Sequence, residues 1–504
     1  MKILLIVPPL NFRKNYAELY EEYTCDGSLP PMGLMYMDSV LKRNGLEVKL
    51  MDLTTMPFTL DYFSRVIKSV APNIVGFSII ADAVNIAITL AREVKKVDPN
   101  CLVIGGGISP TFLYNEILSN TDSFDIIVRG EGEYAICSIC ELLEKNMLWK
   151  KIGSLRGIAY RDGNGQIKVN EGINILKNLD ELPFPDRSSS SFEYTYQFGQ
   201  IKLSSRKFTT IITSRGCPFS CRFCACSAFS QSMYRQRSAG SVIDEFEYIY
   251  SQGYRQVLIT DDHFFLQPKR TIDIFRGLRK RKVDMDILCE SRVDYAKSDV
   301  LKEATKSGVK CIFYGMESGS QRVLDYYQKK ITVEQIKEAV RNSREAGINM
   351  IVGSFMFGAP GEKEEDMLKT IQLILNLDID VPILNILDVL PGTGLWDEAE
   401  KRGILPKDAW RTTINAAKIF PDSVPLHRIK HMIDKTYELF IKRSSFIGRQ
   451  LTRTISNGWR RGLIYRNIIR LGRDGITAAF KEYISSDRMY RYQLKEKERL
   501  EMAE

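Results

Sequence analysis

The chain has 504 residues, too many for one ordinary core, so it divides into two or more domains. Its 44 % hydrophobic and 26 % charged content is close to the average of globular proteins, and no apolar run reaches the roughly 18 residues of a membrane span. Of a formal net charge of +9, residues 441–504 hold +8 (15 basic against 7 acidic), so the rest is nearly neutral and no nucleic-acid partner is expected.

In chain order, Lys2 to Val7 reads as a buried strand that runs into Pro8-Pro9 without a small-residue cleavage site. Met35 to Asn44 is helical, Glu47 to Met51 a strand, Ile74 to Ile80 a strand, and Ala83 to Val97 an amphipathic helix. Leu102 to Ile104 and Asp125 to Val128 are strands, each closed by a glycine-rich turn. Alternating strand and helix over residues 1–150 predicts an α/β domain on a doubly wound parallel sheet, with ligands beyond the carboxyl ends of the strands. Residues 151–205 break the pattern; Asp162-Gly163-Asn164-Gly165 is a hairpin turn, and Leu182 to Ser191 reads as linker.

Alternation resumes at Phe208. Thr209 to Thr213, Gln256 to Thr260, Asp286 to Glu290, Cys311 to Met316, Met350 to Phe357 and Val381 to Val389 are six expected strands of a (β/α)6 partial barrel over residues 206–420. Residues 421–504 read as a helical, basic region. Ile447, Leu451, Ile455, Trp459, Ile464 and Ile468 trace one apolar face, and residues 441–473 carry nine Lys plus Arg and no acid. The bland expectation is a helix packed on the barrel with a solvated basic face that exposes Arg460, Arg461 and Arg466. The sharper one is docking to an acidic partner or an anionic membrane surface.

The ten cysteines, in a long chain without an export signal, read as reduced thiols or metal ligands, so the expected compartment is the cytoplasm. Cys217, Cys221 and Cys224 stand as CxxxCxxC directly after the first strand of the barrel. Three thiolates on one short loop can wrap an iron–sulfur cube and leave one iron open to a small molecule. Zinc is the competing reading; it asks for four ligands, and only Cys226 stands near enough in sequence to be the fourth. Cys137 and Cys140 form a CxxC inside an apolar helical run, where buried helix thiols outweigh a redox pair. His263, beside Asp261-Asp262 at a strand end, and Asp262 itself are candidate proton-handling groups.

Arg215-Gly216-Cys217-Pro218-Phe219-Ser220-Cys221-Arg222-Phe223-Cys224, in this context, resembles the radical S-adenosylmethionine (SAM) superfamily. The resemblance implies a [4Fe–4S] cluster on Cys217, Cys221 and Cys224 whose open iron binds SAM, and an electron donor of flavodoxin or ferredoxin type. It also implies SAM contacts from the strand ends: Arg292 on the carboxylate, Glu317 and Ser318 on ribose or methionine groups, and Phe223, Gly358 and Pro391 around adenine. The first domain resembles the cobalamin-binding domain that precedes this barrel in one subclass, through Val7-Pro8-Pro9, Leu29 to Leu34, Gly76-Phe77-Ser78, Gly105 to Thr111 and Val128 to Glu133. The implied cobalamin contacts are Pro9, Pro31, Gly33, Ser78, Gly105, Gly106, Gly107, Thr111, Gly130 and Glu131.

The chain's three histidines are His263, His427 and His431, none in the first domain, so the resemblance implies cobalamin without a histidine lower ligand from it. The expected function is a cobalamin-dependent radical SAM enzyme that methylates an unactivated carbon of a peptide, protein or amphiphile. Its alternatives are a radical cyclase, rearranging or carbon–carbon coupling enzyme on a lipid or ring substrate, and a cluster-bearing binding or sensor protein.

Overall fold

The computed structural model describes residues 1–9, 29–56, 58–198, 201–204, 206–467 and 469; Ile468 of the expected apolar face lies outside them. The first sheet contains β1 (Lys2–Val7), β2 (Glu47–Asp52), β3 (Ile74–Ser78), β4 (Leu102–Gly106), β5 (Ile126–Val128), β6 (Ile158–Arg161) and β7 (Ile167–Val169) in the order β2-β1-β3-β4-β5-β6-β7. The first five strands run parallel and are apolar on both faces, because helices cover both. Leu4, Ile6, Val75, Phe77, Val103 and Ile127 pack with Phe63, Ile67, Ile86 and Ile117 on one side. Their alternates Ile3, Leu5, Ile74, Leu102, Ile104 and Ile126 pack with Leu34, Leu41, Ile136 and Ile139 on the other. Two findings differ from the expectation. Helices Leu60–Val70 and Ile108–Asn120 were not expected, although Phe63, Ile67 and Val70 recur at helical spacing. The hairpin around Asp162–Gly165 is not linker: β6 and β7 add antiparallel to β5 and extend the sheet.

A short ladder of β8 (Gln197–Phe198) and β9 (Ile201–Lys202) leads into the second sheet. There β10 (Phe208–Ile211) pairs with β13 (Gln256–Ile259), after the small ladder of β11 (Ser214–Arg215) and β12 (Arg235–Gln236). Next come β14 (Asp286–Arg292), β15 (Val309–Glu317), β16 (Met350–Phe357) and β17 (Val381–Ile386), all parallel and in sequence order. The six-stranded sheet is an open barrel: its order ends at β10 and β17. Side-chain parity splits it into wall and lumen. Ile287 and Cys289 of β14 pack outward on the helices, while Leu288 points inward with Phe208, Leu258, Phe313 and Val352. A last ladder, β18 (Asp388–Val389) with β19 (Ile414–Asn415), follows β17.

The C-terminal helices cover the barrel's outside and its amino end. Helix Leu426–Lys442 packs Ile429, Met432, Ile433, Tyr437 and Phe440 on the wall. Trp459 and Leu463, in the helical stretch 458–467, close the lumen together with Tyr194, Tyr196 and Leu203. The expected basic outer face is reversed. Arg460 is buried and holds Asp380 (2.9 Å) and the Asn349 carbonyl (2.6 Å), and Arg449 and Arg453 pair with Asp378. Ile447, Leu451 and Ile455 face outward instead, at 47, 59 and 72 % exposure. Carboxylates at the amino ends of the barrel strands drew the arginines in; hydrophobic spacing cannot show that competition.

Candidate functional site

The loop bearing Cys217, Cys221 and Cys224 leaves β11 at Gly216, whose φ is +84° and where a Cβ would lie 2.1 Å from the Met233 carbonyl. The loop is held at three places. Gly216 N–H donates to Asp262 (2.8 Å), Arg222 N–H to the Tyr327 carbonyl (3.0 Å) and Leu395 N–H to the Arg222 carbonyl (3.1 Å). Buried Asp261 ties the strand beneath it, accepting from Thr213 N–H, Thr213 Oγ1 and Ser214 Oγ. The three thiols are half-buried and close enough to act on one another electrostatically. Among the described residues no three His, Cys, Asp or Glu side chains gather around a single point as one ion requires. Burial pushes Cys217 up to about 11, while the hydrogen bond from Cys226 brings Cys224 down to about 7.

Above the lumen, the Arg292 guanidinium lies 3.8 Å from the Phe219 ring centroid, with Nη1 4.0 Å from Cys221 Sγ. Its other nitrogens hold Asp294 and the Lys329 carbonyl. Glu317 ends β15 at a bulge with φ +61°, a strained conformation for a non-glycine residue, and its carboxylate accepts from Lys329 Nζ (2.7 Å). Lys329, which the sequence reading missed, is buried 5.8 Å from the Phe223 ring centroid. No motif spacing marks it; only the return of the chain after helix Gln321–Tyr326 does. Arg292, Glu317, Lys329 and Phe223 thus converge beside the cysteine loop. Ser318 does not join them: it is fully buried and its hydroxyl is taken by Thr370 (3.0 Å). Gly358 N–H donates to Glu362, and Gly392, beside Pro391, lies against the Phe112 ring of the first domain.

His263 is not placed as a proton shuttle. It is 1 % exposed, its ring packs on Tyr295 (4.5 Å between centroids) and Phe219 (5.6 Å), and burial brings its pKa down to about 4, so it stays neutral. Asp262 holds the cysteine loop. Cys137 and Cys140 sit in helix Glu133–Glu144 as free thiols, pushed up to about 11 and about 12 by burial, which makes them unreactive.

At the carboxyl end of the first sheet, where the order turns between β1 and β3, lies a cavity of about 370 Å³. Gly33, Ser78, Gly106, Gly107, Gly130 and Glu131, six of the ten residues that the resemblance assigned to cobalamin, line it together with Leu5, Phe77 and Ile104. Its far wall belongs to the barrel: Ser214, Gly216, Cys226, Thr260 and Asp262. Bare backbone at Gly33 and Gly106, with no atom nearer than 3.7 Å to an added Cβ, makes a cradle that side chains would fill, and the apolar wall suits one arm of a large cofactor. Pro9, Pro31, Gly105 and Thr111 are not among the lining residues. Gly105 packs on Ile127, and Thr111 accepts from Gly130 N–H (2.9 Å), bracing the cradle from behind. Glu131 pairs with Arg235 (2.7 Å) and Glu133 with Arg215 (2.7 Å), so two arginines of the β11–β12 ladder tie the cavity to the cysteine loop.

By strand parity, Glu290 points into the lumen one step below Arg292. Its side chain is exposed to the open space of the lumen, yet desolvation by the surrounding wall, with the Asp262 and Asp261 carboxylates, pushes it up to about 7. The sign follows: the raised pKa favours the protonated fold, a contribution present below the ordinary value of 4.5 and lost as pH rises through about 7. Melting temperatures of wild type and Glu290→Gln across this range should therefore diverge, the wild type losing ground as pH rises. Parallel curves would refute the placement.

Residues 211–374 match the radical SAM superfamily, and residues 24–139 the B12 binding domain. An uncharacterised methyltransferase of Pyrococcus horikoshii is 29 % identical over 88 % of this chain and 91 % of its own. The anaerobic magnesium-protoporphyrin IX monomethyl ester cyclase of Rubrivivax gelatinosus is 25 % identical over 90 and 80 %. The hopanoid C-3 methylase of Methylococcus capsulatus is 25 % identical over 88 and 81 %. Among solved structures, the cobalamin-dependent SAM radical enzyme OxsB with aqua-cobalamin bound aligns at TM-score 0.68 and 16 % identity over 99 % of this chain and 80 % of that one. The radical SAM methyltransferase TsrM from Kitasatospora setae, with cobalamin and a [4Fe-4S] cluster, aligns at 0.64 and 18 % over 80 and 78 %.

Proposed function

We propose that this chain, which carries a B12-binding domain and a radical SAM domain and so belongs to the cobalamin-dependent radical SAM enzymes, methylates an unactivated carbon of an amphiphilic substrate. The observation that carries this reading is the shared cavity: the glycine cradle of the first domain opens directly onto Gly216, Cys226 and Asp262 at the cysteine loop. Methyl donor and radical source would then act in one enclosed space.

When bound, the reduced cluster supplies the electron that cleaves SAM, and cobalamin supplies the methyl group. The protein's residues do the rest. Cys217, Cys221 and Cys224 would hold the cluster. Arg292, 4.0 Å from Cys221 Sγ, and the Lys329 ammonium would orient a substrate carboxylate beside the cysteine loop. Asp262 fixes the loop, Leu288, Phe313 and Val352 make the lumen wall apolar, and Glu290 presents a hydrogen-bonding group to substrate.

Radical SAM enzymes need a reductant; a flavodoxin or ferredoxin fits this one, in the cytoplasm, where thiols stay reduced. No helix of the described residues is long and apolar enough to cross a membrane. The relatives named as a hopanoid methylase and a magnesium-protoporphyrin ester cyclase support a large, largely apolar substrate. The cyclase also supports a second reading, oxidative ring closure without methyl transfer. Anaerobic incubation of the reduced protein with trideuteromethyl-SAM and a lipid extract, followed by mass spectrometry, separates them. A product carrying the labelled methyl supports methylation, an unlabelled product that has lost hydrogen supports ring closure, and 5′-deoxyadenosine with no product from lipid refutes the amphiphile.

A further inference from the structure

Of the fifteen exposed large hydrophobic side chains among the described residues, six fall between positions 447 and 469: Ile447, Leu451, Ile455, Ile464, Tyr465 and Ile469. Three of them, on helix Ser444–Ser456, stand four residues apart and so form one stripe, pointing away from the barrel. The helix is not apolar outward for want of polar residues. Arg449, Arg453 and Arg460 turn inward onto Asp378 and Asp380, which Arg344 also holds, and Gln450 donates to Asp380 as well. An aqueous helix of this composition would present its arginines to water and its aliphatics to the barrel; this one is fixed the other way round, which has meaning only if something apolar meets the stripe.

The charge beside the stripe says what that is. Residues 441–469 contain no acid, and with the inward arginines spent, Arg461 and Arg466 stay exposed with no ion pair to a described residue. We propose that this face, at the closed amino end of the barrel, docks on an anionic phospholipid surface, the aliphatic stripe entering the headgroup boundary and Arg461 and Arg466 meeting lipid phosphates. A second copy fits less well, because a two-fold contact would bring the arginines of both copies together. A folded protein partner fits less well too: Ile447, Leu451 and Ile455 are aliphatic, whereas the anchors of such interfaces are mostly Trp, Tyr and Arg. The face lies opposite the strand ends that carry the cysteines, so docking holds the protein at the membrane and leaves the site's mouth free. The inference does not depend on which group the enzyme transfers.

The test is co-sedimentation of the full-length protein with vesicles of phosphatidylcholine alone and of equal parts phosphatidylcholine and phosphatidylglycerol. The protein should sediment with the anionic vesicles, and less so as salt screens the arginines. The double variant Leu451→Ser/Ile455→Ser should bind about tenfold more weakly or worse, since two aliphatic side chains no longer leave water. Both residues are exposed, so iron content and thermal transition should match wild type. Failure of the wild type to bind anionic vesicles, or equal binding by the double variant, overturns the proposal. So does a wild-type dimer that the double variant dissolves, which would make the stripe a self-interface. Binding only after truncation beyond Ile469 would also overturn it, by showing that residues 470–504 cover the stripe.

Discussion

Changing Cys217, Cys221 and Cys224 together to alanine should remove all iron–sulfur absorbance and all 5′-deoxyadenosine formation, whereas Cys226→Ala should keep about four irons per chain. The three thiols belong to one loop pinned by Asp262, Tyr327 and Leu395, so the loop should keep its course without the cluster. Cys226 differs in position. It opens the short helix Cys226–Phe229, its N–H lies 3.4 Å from Cys224 Sγ, and hydrogen bonding to Cys224, with burial, holds its own thiol protonated. On this arrangement Cys226 should stabilise the Cys224 thiolate without being needed as a ligand. Iron and sulfide analysis after anaerobic reconstitution, with chromatography of SAM products, is the measurement. Loss of the cluster in Cys226→Ala alone would overturn the ligand set.

The second large effect is expected at Arg215. This residue stands two positions before Cys217, yet its contacts are in the first domain: Glu133 at 2.7 Å, Glu131 at 3.4 Å and the Tyr36 ring at 5.3 Å. Arg215→Ala leaves Glu133, 4 % exposed, without its partner. Breaking a buried ion pair from one side costs about 3–5 kcal/mol. At about 2–4 °C per kcal/mol, the first unfolding transition should fall by roughly 6 °C or more. Retained cobalamin should fall with it, while the iron content stays near wild type because no cysteine is touched. Arg215→Lys should recover only part of the loss, since an ammonium cannot bridge two carboxylates as the guanidinium fork does. Unchanged cobalamin retention in Arg215→Ala would show that the two domains hold their register by other contacts, such as Phe112 against Gly392.

Local chemistry written into contiguous residues was legible from the sequence. The cysteine spacing, the glycine turns at the ends of β4 and β5, and the run of alternating strands and helices each depend on neighbours within a few positions. Five of the first sheet's seven strands and all six barrel strands stand close to where periodicity placed them. Glycine turns were less exact as ligand predictors: Gly106, Gly107 and Gly130 line the cavity, but Gly105 packs on Ile127. A glycine marks close approach, and only the fold says whether a ligand or a side chain approaches.

The sequence by itself determined the two-domain α/β architecture, the cysteine loop and the absence of a histidine in the first domain. Tertiary structure decided what depends on residues far apart in the chain. It brought Lys329 to Glu317, turned Ser318 into the wall, buried His263 between Phe219 and Tyr295, and set Arg215 and Arg235 on the carboxylates of the first domain. It also reversed the C-terminal helix. Hydrophobic periodicity says which residues share a face but not which way that face turns, and here the carboxylates of half-buried Asp378 and buried Asp380 attracted the arginines more strongly than the barrel attracted the aliphatics. A charge pair across some 70 to 80 positions, Arg453 with Asp378 or Arg460 with Asp380, leaves no mark in any local window of sequence.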